Sequence, residues 1–229
     1  MPVCYGSEEM KSKTSHAVLD VKSRKKKAKT IIGILKNYKG IEKSKILDIG
    51  TGSGVIAHEI GKISKNVYSV DIVDERVIKN NFVFKKIKDE KLPFRDNEFD
   101  IIISNHVMAH VKNSELHLKE IKRVLKNNGI VYLSMLNRLW PLEPNFGLLF
   151  LSWLPKRFAD IHVRAMCRGE YYNVNPLAYN NFIKKINKYF SYEDITFKII
   201  KQKRSMPHEI YRLLKVFSPV WIFILKKHK

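Results

Sequence analysis

The chain has 229 residues, of which 45% are hydrophobic, and its formal net charge is +21. This length and apolar content predict one folded domain over residues 1–229 and exclude a disordered chain. No apolar run approaches the length of about 18 residues that a membrane span needs, and no basic segment is followed by an apolar core at the N-terminus. We therefore expect a cytoplasmic protein.

The positive charge is concentrated at the two ends of the sequence. Residues 1–40 contain ten Lys or Arg and three Asp or Glu, and residues 196–229 contain nine and one. Such ends attract polyanions, so we expect contact with nucleic acid or with the surface of an anionic membrane, to which the protein would bind peripherally. The alternative is a compositional bias, because the chain is rich in Lys, Ile and Asn together.

The first half of the chain alternates between strand and helix patterns. A basic helix is predicted over residues 15–39, within an N-terminal extension of residues 1–40, and Gly40 ends it. The elements expected next are strand 45–49, helix 54–62, strand 67–71, helix 74–82, strand 84–88, strand 99–104, helix 114–126 and strand 129–135. This alternation predicts an α/β fold with a parallel sheet covered by helices on both faces.

Residues 136–190 break this rhythm. Four prolines, at positions 141, 144, 155 and 176, interrupt a stretch of helical and aromatic character. We expect a helical insertion after the fifth sheet strand that acts as a substrate cap. Two closing strands, 193–200 and 218–226, with a short helix at 207–214 between them, then predict a hairpin at the sheet edge.

Glycines and carboxylates follow the predicted strands. Gly50, Gly52 and Gly54 come directly after the first strand, and Asp71 ends the second strand. Ligands bind outside the carboxyl ends of such strands, and a carboxylate about 20 residues beyond the glycines suits a ribose. Val55 stands where a dinucleotide fingerprint needs its last glycine, and no phosphate-binding lysine follows. The spacing therefore favours a nucleoside ligand without a pyrophosphate.

Five segments together resemble the class I S-adenosylmethionine-dependent methyltransferases, in particular the type 11 (UbiE-like) domain. They are residues 47–54, 70–71, 89–100, 104–111 and 120–129. The resemblance implies a three-layer sandwich with a seven-stranded, mostly parallel, Rossmann-like sheet whose last strand is antiparallel. It also implies S-adenosyl-L-methionine as the cofactor.

The resemblance implies roles for the matched residues. The glycine loop would cradle the amino acid part of the cofactor, Asp71 would accept hydrogen bonds from the ribose hydroxyls, and Asp89 or Glu90 would meet the adenine edge. The simpler interpretation of Asp71 and Asp89 is a capping or loop carboxylate. The predicted cofactor site comprises Asp48, Gly50, Thr51, Gly52, Gly54, Asp71, Ile72, Asp89, Glu90, Asn105 and His106.

His106 and His110 are the candidate catalytic residues. They are four residues apart, so a helix would place them on one face, and either could act as a general base for an oxygen nucleophile. Packing or capping is the alternative for each. The pair lacks the glutamate of the zinc-protease motif, so we expect no metal site.

The start of the insertion is the candidate acceptor site. Asn137, Arg138, Trp140 and Glu143 combine polar groups with an aromatic face. Residues 146–158, which are apolar with basic residues behind them, would form a lid over the pocket or dip into a membrane interface beside anionic headgroups.

These observations favour methyl transfer to a small molecule, a lipid-linked glycan or an isoprenoid-type acceptor, at oxygen. An RNA methyltransferase and a non-catalytic cofactor-binding module are the alternatives. The chain has no catalytic cysteine near the fourth or fifth strand and no Asn-Pro-Pro-Tyr motif after residues 99–104. Both absences count against the common methyltransferases of nucleic acid bases.

Overall fold

The structure is a computed structural model and describes residues 20–196, 198 and 218–228. Helices and strands alternate through most of these ranges. The α-helices are α1 (Val21–Lys36), α2 (Val55–Gly61), α3 (Ser114–Val124), α4 (Lys156–Ala165) and α5 (Tyr179–Asn187). The strands are β1 (Ile46–Ile49), β2 (Val67–Asp71), β3 (Val83–Lys86), β4 (Phe99–Asn105), β5 (Leu125–Leu136), β6 (Leu142–Glu143), β7 (Leu148–Leu149), β8 (Phe190–Asp194) and β9 (Val220–Lys227). Short 3₁₀ turns span Val107–Ala109 and Leu151–Trp153.

Seven strands form one sheet in the order β3-β2-β1-β4-β5-β9-β8. The first five pair in parallel, β9 is antiparallel to β5, and β8 is antiparallel to β9. The predicted α/β fold with a mostly parallel sheet and an antiparallel last strand is therefore confirmed. The chain order reverses beside β1, which opens a crevice at the carboxyl ends of β1 and β4.

The sheet is buried on both faces, which explains the continuous apolar run of β4. Ile101 and Ile103 pack into one core cluster with Ala28 of α1 and Ile60 of α2. Ile102 points the other way, into the cluster formed with α3 and the insertion. Alternate residues of one strand thus enter different cores, as the pleat requires.

The N-terminal basic helix belongs to the body of the fold. Asp20 caps α1 by accepting hydrogen bonds from the backbone N–H groups of Lys22 and Ser23, both at 3.1 Å. The described helix begins at Val21, after the extended residue Asp20, and residues 15–19 of the predicted helix lie outside the described ranges. Its apolar stripe is fully buried against the sheet, and consists of Ala28, Ile31 and Leu35.

The helix predicted over residues 74–82 is wrong, because this segment is an irregular loop. The N–H groups of Val77 and Ile78 donate to the carbonyl of Ser53, at 3.0 and 3.1 Å, instead of to a preceding helical turn. Asp74 binds Arg76, whose guanidinium lies 3.8 Å from the ring centroid of Phe84. Tertiary contacts therefore outweigh the local helical pattern.

The insertion is only partly helical, so the expectation of a helical insertion over residues 136–190 was only partly correct. It contains the β6–β7 hairpin, a 3₁₀ turn and the helices α4 and α5. In addition, α3 ends at Val124 and β5 begins at Leu125, ahead of the predicted residue 129. The strand expected at 193–200 is wrong beyond Asp194, where β8 ends, and residues 197, 199 and 200 lie outside the described ranges. The helix expected at 207–214 also lies outside them.

No described helix has both the length and the apolar character to cross a bilayer.

Candidate cofactor and acceptor site

A cavity of about 720 Å³ lies at the carboxyl ends of β1, β2 and β4. Its volume is within the range of small-molecule sites. Most of the predicted cofactor and catalytic residues line it: Gly50, Thr51, Gly52, Asp71, Ile72, Asp89, Glu90, Asn105, His106 and His110. The topology thus brings together residues that are up to 60 positions apart in the sequence.

The glycine loop needs glycine at its bends. Gly50, Gly52 and Gly54 have φ values of +72°, +51° and +80°, a region that other residues adopt at a cost. A Cβ atom on Gly50 would lie 2.4 Å from Cγ2 of Val107, so the loop passes close to the segment after β4. Gly54 faces away from the cavity, where a Cβ would meet the carbonyl oxygen of Ile78 at 2.1 Å.

Asp71 joins the glycine loop to the end of β2. Its Oδ2 accepts a hydrogen bond from the N–H of Gly52 at 2.9 Å, and its Oδ1 accepts one from the N–H of Ile72 at 2.8 Å. These two bonds fix the plane of the carboxylate at the cavity wall. Each carboxylate oxygen has a further lone pair, so Asp71 can still accept hydrogen bonds from a bound diol.

Asp48 lies beneath the loop, outside the cavity lining. The residue is 2% exposed, and its Oδ2 has no hydrogen-bond partner among the described residues. Burial raises the pKa of Asp48 to about 8; the nearby charge of Asp71 adds to this shift and that of Arg24 opposes it. Arg24 of α1 lines the cavity and is a residue that the sequence analysis missed.

Asp89 and Glu90 lie at the outer end of the cavity. Asp89 is exposed and accepts a hydrogen bond through Oδ1 from the N–H of Lys91 at 2.8 Å. Glu90 accepts from the N–H groups of Lys112 and Asn113 through Oε1, at 2.8 and 3.1 Å. Glu90 therefore braces the loop before α3, while Asp89 is the more accessible carboxylate. The exposed side chain of Ile72 lies in the same wall.

Asn105, His106 and His110 follow β4. The Oδ1 of Asn105 accepts from the hydroxyl of Ser134 at 3.0 Å, which orients its amide. His106 has φ +66°, and the Nδ1 atom of its ring has no hydrogen-bond partner in the described part of the chain. Burial, assisted by the cations of Lys27 and Arg24, lowers the pKa of His106 to about 3, so its ring is neutral at pH 7.

His110 is the C-cap of the 3₁₀ turn that follows and also lines the cavity. The two candidate catalytic histidines are therefore brought to one site as the N-cap and the C-cap of a 3₁₀ turn, instead of on one face of a helix. Across residues 20–196 and 218–228, no group of three or more His, Cys, Asp or Glu side chains is arranged to hold a metal ion.

The four predicted acceptor residues do not line the cavity. The Nδ2 of buried Asn137 donates to the carbonyl of Ser218 at 2.8 Å. Glu143 is 1% exposed and accepts from the N–H of Phe146 at 2.7 Å, which holds the β6–β7 turn. Arg138 donates to the carbonyl of Ser152 at 3.2 Å. These contacts shape the insertion, and a direct role of these residues and of Trp140 in acceptor binding stays a prediction.

Other residues of the insertion form the cavity wall instead. Their polar and aromatic side chains face the sheet ends across the cavity, and Asn175 also ties the insertion to the turn after β4 by an N–H bond to Ala109 at 2.7 Å. The sequence analysis missed the residues of the insertion that line the cavity, which are Pro144, Asn145, Lys156, Tyr171, Asn173 and Asn175. The prolines indicated an insertion with an interrupted helical pattern, but no local pattern indicated which side chains face inward.

Sequence comparisons match the same part of the chain. Residues 47–133 match a family model described as a methyltransferase domain. The ubiquinone biosynthesis O-methyltransferase of Bartonella tribocorum is 29% identical over 129 residues, which cover 51% of this chain and 52% of that protein. The protein of the same name from Rickettsia prowazekii is 29% identical over 142 residues, covering 56% and 55%. The chain thus spans about half the length of the curated relatives it matches.

Solved structures share the fold. The PH0226 protein of Pyrococcus horikoshii superposes with a TM-score of 0.66 at 16% identity, over 97% of this chain and 100% of that one. An S-adenosylmethionine-dependent methyltransferase of Mesorhizobium loti gives a TM-score of 0.59 at 12% identity, over 85% and 96%. The segment that matches the methyltransferase domain model, residues 47–133, contains the glycine loop and Asp71, which lie in one cavity.

Proposed function

We propose that this chain transfers the methyl group of S-adenosylmethionine to an oxygen atom of a small acceptor with an apolar part, of the isoprenoid or lipid-linked glycan type. One observation carries the proposal. A single cavity is lined on one side by the sheet-end residues, such as Gly50 and Asp71, and on the other by Asn145 and Tyr171 of the insertion. A cofactor and an acceptor held by these two walls share one enclosed space.

The residues at the sheet ends fit the cofactor. Asp71 has accepting capacity for a ribose diol, and exposed Ile72 offers an apolar surface for a base. Arg24 supplies a cation that suits the carboxylate of an amino acid moiety. The glycine loop has no Cβ atoms that would keep a ligand away from its backbone.

The reaction asks little of the protein beyond alignment. The cofactor's sulfonium supplies a methyl group that is already activated for displacement. The chain must hold the acceptor oxygen in line, exclude water and take the proton that the oxygen loses. The insertion covers the site and thereby limits access of water.

His106 is poorly suited to accept a proton. A general base works best when its pKa is near the working pH, and the pKa of His106 is about 3. His106, whose uncharged ring lines the cavity, is suited to hydrogen bonding and to contact with a ligand. We therefore assign proton transfer to His110 and positioning to His106.

The choice of acceptor draws on two kinds of support. The curated relatives carry the name ubiquinone biosynthesis O-methyltransferase, which supports an oxygen acceptor. The cavity also has apolar wall residues, namely Val107, Leu136, Pro144 and Val220. Such a wall favours an acceptor with an apolar ring or tail beside its reacting oxygen.

Turnover with a panel of acceptors tests this proposal. Purified full chain is incubated with S-adenosylmethionine and a prenylated catechol, a polyprenyl-linked sugar or tRNA, and mass spectrometry locates any methyl group gained. We expect O-methylation of one of the lipid-type acceptors. Methylation of tRNA alone, with a steep salt dependence of binding, would establish the RNA alternative. Tight cofactor binding without turnover on these acceptors or in a cell extract would indicate a non-catalytic module.

A further inference from the structure

Apolar side chains exposed to solvent are concentrated in the cap, which we define as residues 137–178. Of the fourteen large apolar side chains exposed in the described ranges, nine lie between residues 139 and 171. A concentration of this kind on a soluble domain marks an interaction surface more often than isolated exposed residues do. The nine are Leu139, Leu142, Leu149, Phe150, Trp153, Phe158, Ile161, Met166 and Tyr171.

Helix α4 has apolar residues on its inner face and also on its outer face. Ala159 and Val163 are buried against the body of the domain. Phe158 and Ile161 lie about one turn apart on the outer face and are 62% and 55% exposed. The inner face accounts for the packing of the helix, so the outer pair has no packing role within the described fold.

Two exposed aromatic rings precede α4 in the chain. Phe150 and Trp153 stand with their ring centroids 4.8 Å apart, and they are 47% and 48% exposed. The 3₁₀ turn that carries Trp153 contacts both α4 and β6. A tryptophan with one side in water and one on apolar neighbours is typical of membrane–water interfaces.

The exposed charges on α4 have one sign, and Glu170 follows the helix as an exposed acid. Lys156, Arg157, Arg164 and Arg168 are all exposed on α4 or just after it. The single carboxylate of the helix, Asp160, turns inward and accepts a hydrogen bond from the N–H of Tyr172 at 2.7 Å. The outer surface therefore presents arginines beside aromatic and aliphatic side chains, without a facing acid on the same helix.

We propose that this surface docks on an anionic lipid bilayer. The docking face consists of Phe150, Trp153, Arg157, Phe158, Ile161 and Arg164. Its apolar side chains enter the boundary between headgroups and acyl chains, and its guanidinium groups bind lipid phosphates, as in interfacial amphipathic helices. Charge complementarity selects a bilayer with anionic headgroups over another copy of this chain, because the chain carries a net charge of +21 and repels itself.

Docking in this way would bring the cavity to the membrane surface. Lys156 and Tyr171 line the cavity and are also exposed in the cap that carries the docking face. An acceptor with a lipid tail could then enter from the bilayer without crossing water. This consequence rests on the proposed function, whereas the docking itself does not require turnover.

Vesicle binding by the full chain tests the proposal. We expect binding to vesicles of phosphatidylglycerol and phosphatidylcholine, weak binding to pure phosphatidylcholine, and loss of affinity at high salt. Arg157→Gln with Arg164→Gln should weaken binding by about fivefold for each charge removed. Phe158→Ser with Ile161→Ser should weaken it at least as much. The matched control is Val77→Ser with Val83→Ser, which removes two side chains of similar exposure elsewhere and should leave binding unchanged.

A local readout separates the docking face from the basic termini. Lipids with brominated acyl chains quench a tryptophan only when it enters the bilayer, so the wild type should be quenched and Trp153→Phe should lose most of that effect. The proposal is overturned if Phe158→Ser with Ile161→Ser binds vesicles as tightly as the wild type, or if the quenching survives Trp153→Phe. If the wild type does not bind vesicles, and light scattering shows a dimer that Phe158→Ser with Ile161→Ser disrupts, the face instead binds a second copy of this chain.

The two proposals fail in different ways. Methyl transfer to a short-tailed acceptor in solution with no vesicle binding would exclude the docking face and keep the enzyme. Vesicle binding without methyl transfer to any acceptor would support the docking face and exclude the proposed methyl transfer. Calorimetry of S-adenosylhomocysteine binding confirms that each docking-face variant still folds, since none of its residues lines the cavity.

Discussion

The two walls of the cavity differ in how the chain builds them. On the sheet side, each predicted residue stands where a strand ends: Gly50 after β1, Asp71 at the end of β2 and His106 after β4. On the cap side, the inward residues come from turns, extended segments and the start of α4, and the expected Glu143 supports the hairpin instead. Parallel strands bring their ends together by topology, whereas a cap places its side chains only through its own packing.

Asp71→Ala tests the sheet wall most directly, because it removes the carboxylate that we expect to bind the cofactor. We expect the dissociation constant of S-adenosylhomocysteine, measured by calorimetry, to rise about 100-fold, because hydrogen bonds to a charged group are worth about 1.5–3 kcal/mol each. The loop N–H of Gly52 also loses its partner.

The control for Asp71 is Asp96→Ala, which removes an exposed carboxylate that pairs with Arg123 and does not line the cavity. Its affinity should remain within about threefold of the wild type, a change of less than 1 kcal/mol. If Asp71→Ala, folded by circular dichroism, binds as tightly as this control, the sheet wall is not the cofactor site.

Gly50→Ala should have the next largest effect, on stability as well as on binding. The added Cβ would approach Cγ2 of Val107 to 2.4 Å, and φ at this position is +72°. We expect a loss of about 2 kcal/mol in the free energy of unfolding, measured with denaturant, from the clash and from the left-handed backbone.

A second substitution separates these two causes. Gly50→Ala with Val107→Ala removes the clash and keeps the backbone strain, so it should recover part of the loss relative to Val107→Ala alone. A double variant no more stable than Gly50→Ala plus the separate cost of Val107→Ala would show that close packing of the two segments is unimportant.

These variants act on features that local sequence could reveal. A positive φ calls for glycine, and a carboxylate that ends a parallel strand lies at the ligand edge of the sheet, so Gly50 and Asp71 are evident from spacing alone. The loop at 74–82 shows the limit of this reasoning. Its residues have a helical pattern, but Val77 and Ile78 donate to Ser53 of the glycine loop, a partner more than 20 residues away.

Arg24 and the cap show the same limit at the site. The helical pattern places Arg24 on α1, yet only the docking of α1 against the sheet shows that its side chain reaches the cavity. Likewise, Asn137 and Glu143 have the polar character of binding residues, but their buried hydrogen bonds direct them into the fold. Sequence indicates the chemistry of such residues, and long-range packing decides which way they face.

Tyr171→Ala tests the cap side directly. Tyr171 lines the cavity and is 54% exposed, so its loss should affect the acceptor and leave the cofactor in place. We expect KM for the acceptor to rise about tenfold, equivalent to 1.4 kcal/mol, with the S-adenosylhomocysteine affinity unchanged. Tyr192→Ala on β8, which is away from the cavity, should change neither value. If Tyr171→Ala weakens S-adenosylhomocysteine binding as much as it raises KM for the acceptor, the cap wall does not bind the acceptor separately from the cofactor.

The pH dependence of stability gives the most specific test, at Asp48 beneath the sheet wall. Burial raises the pKa of Asp48 to about 8, whereas an unfolded aspartate has a pKa of about 3.9. Between these values the folded chain binds one proton more than the unfolded chain, so this contribution to stability is complete below about pH 4 and is lost as pH rises toward 8. Its slope is at most about 1.4 kcal/mol per pH unit.

Asp48→Asn removes that titration and keeps the shape of the side chain. The melting temperature of the variant minus that of the wild type should therefore increase from pH 5 to pH 8, by about 2–4 °C for each 1 kcal/mol. The exposed Asp96→Asn should show no such trend over the same range. If the melting temperatures of Asp48→Asn and the wild type change with pH in parallel, the Asp48 carboxyl is already ionised in the folded chain. The charge of Arg24 then outweighs the effect of burial on the pKa of Asp48.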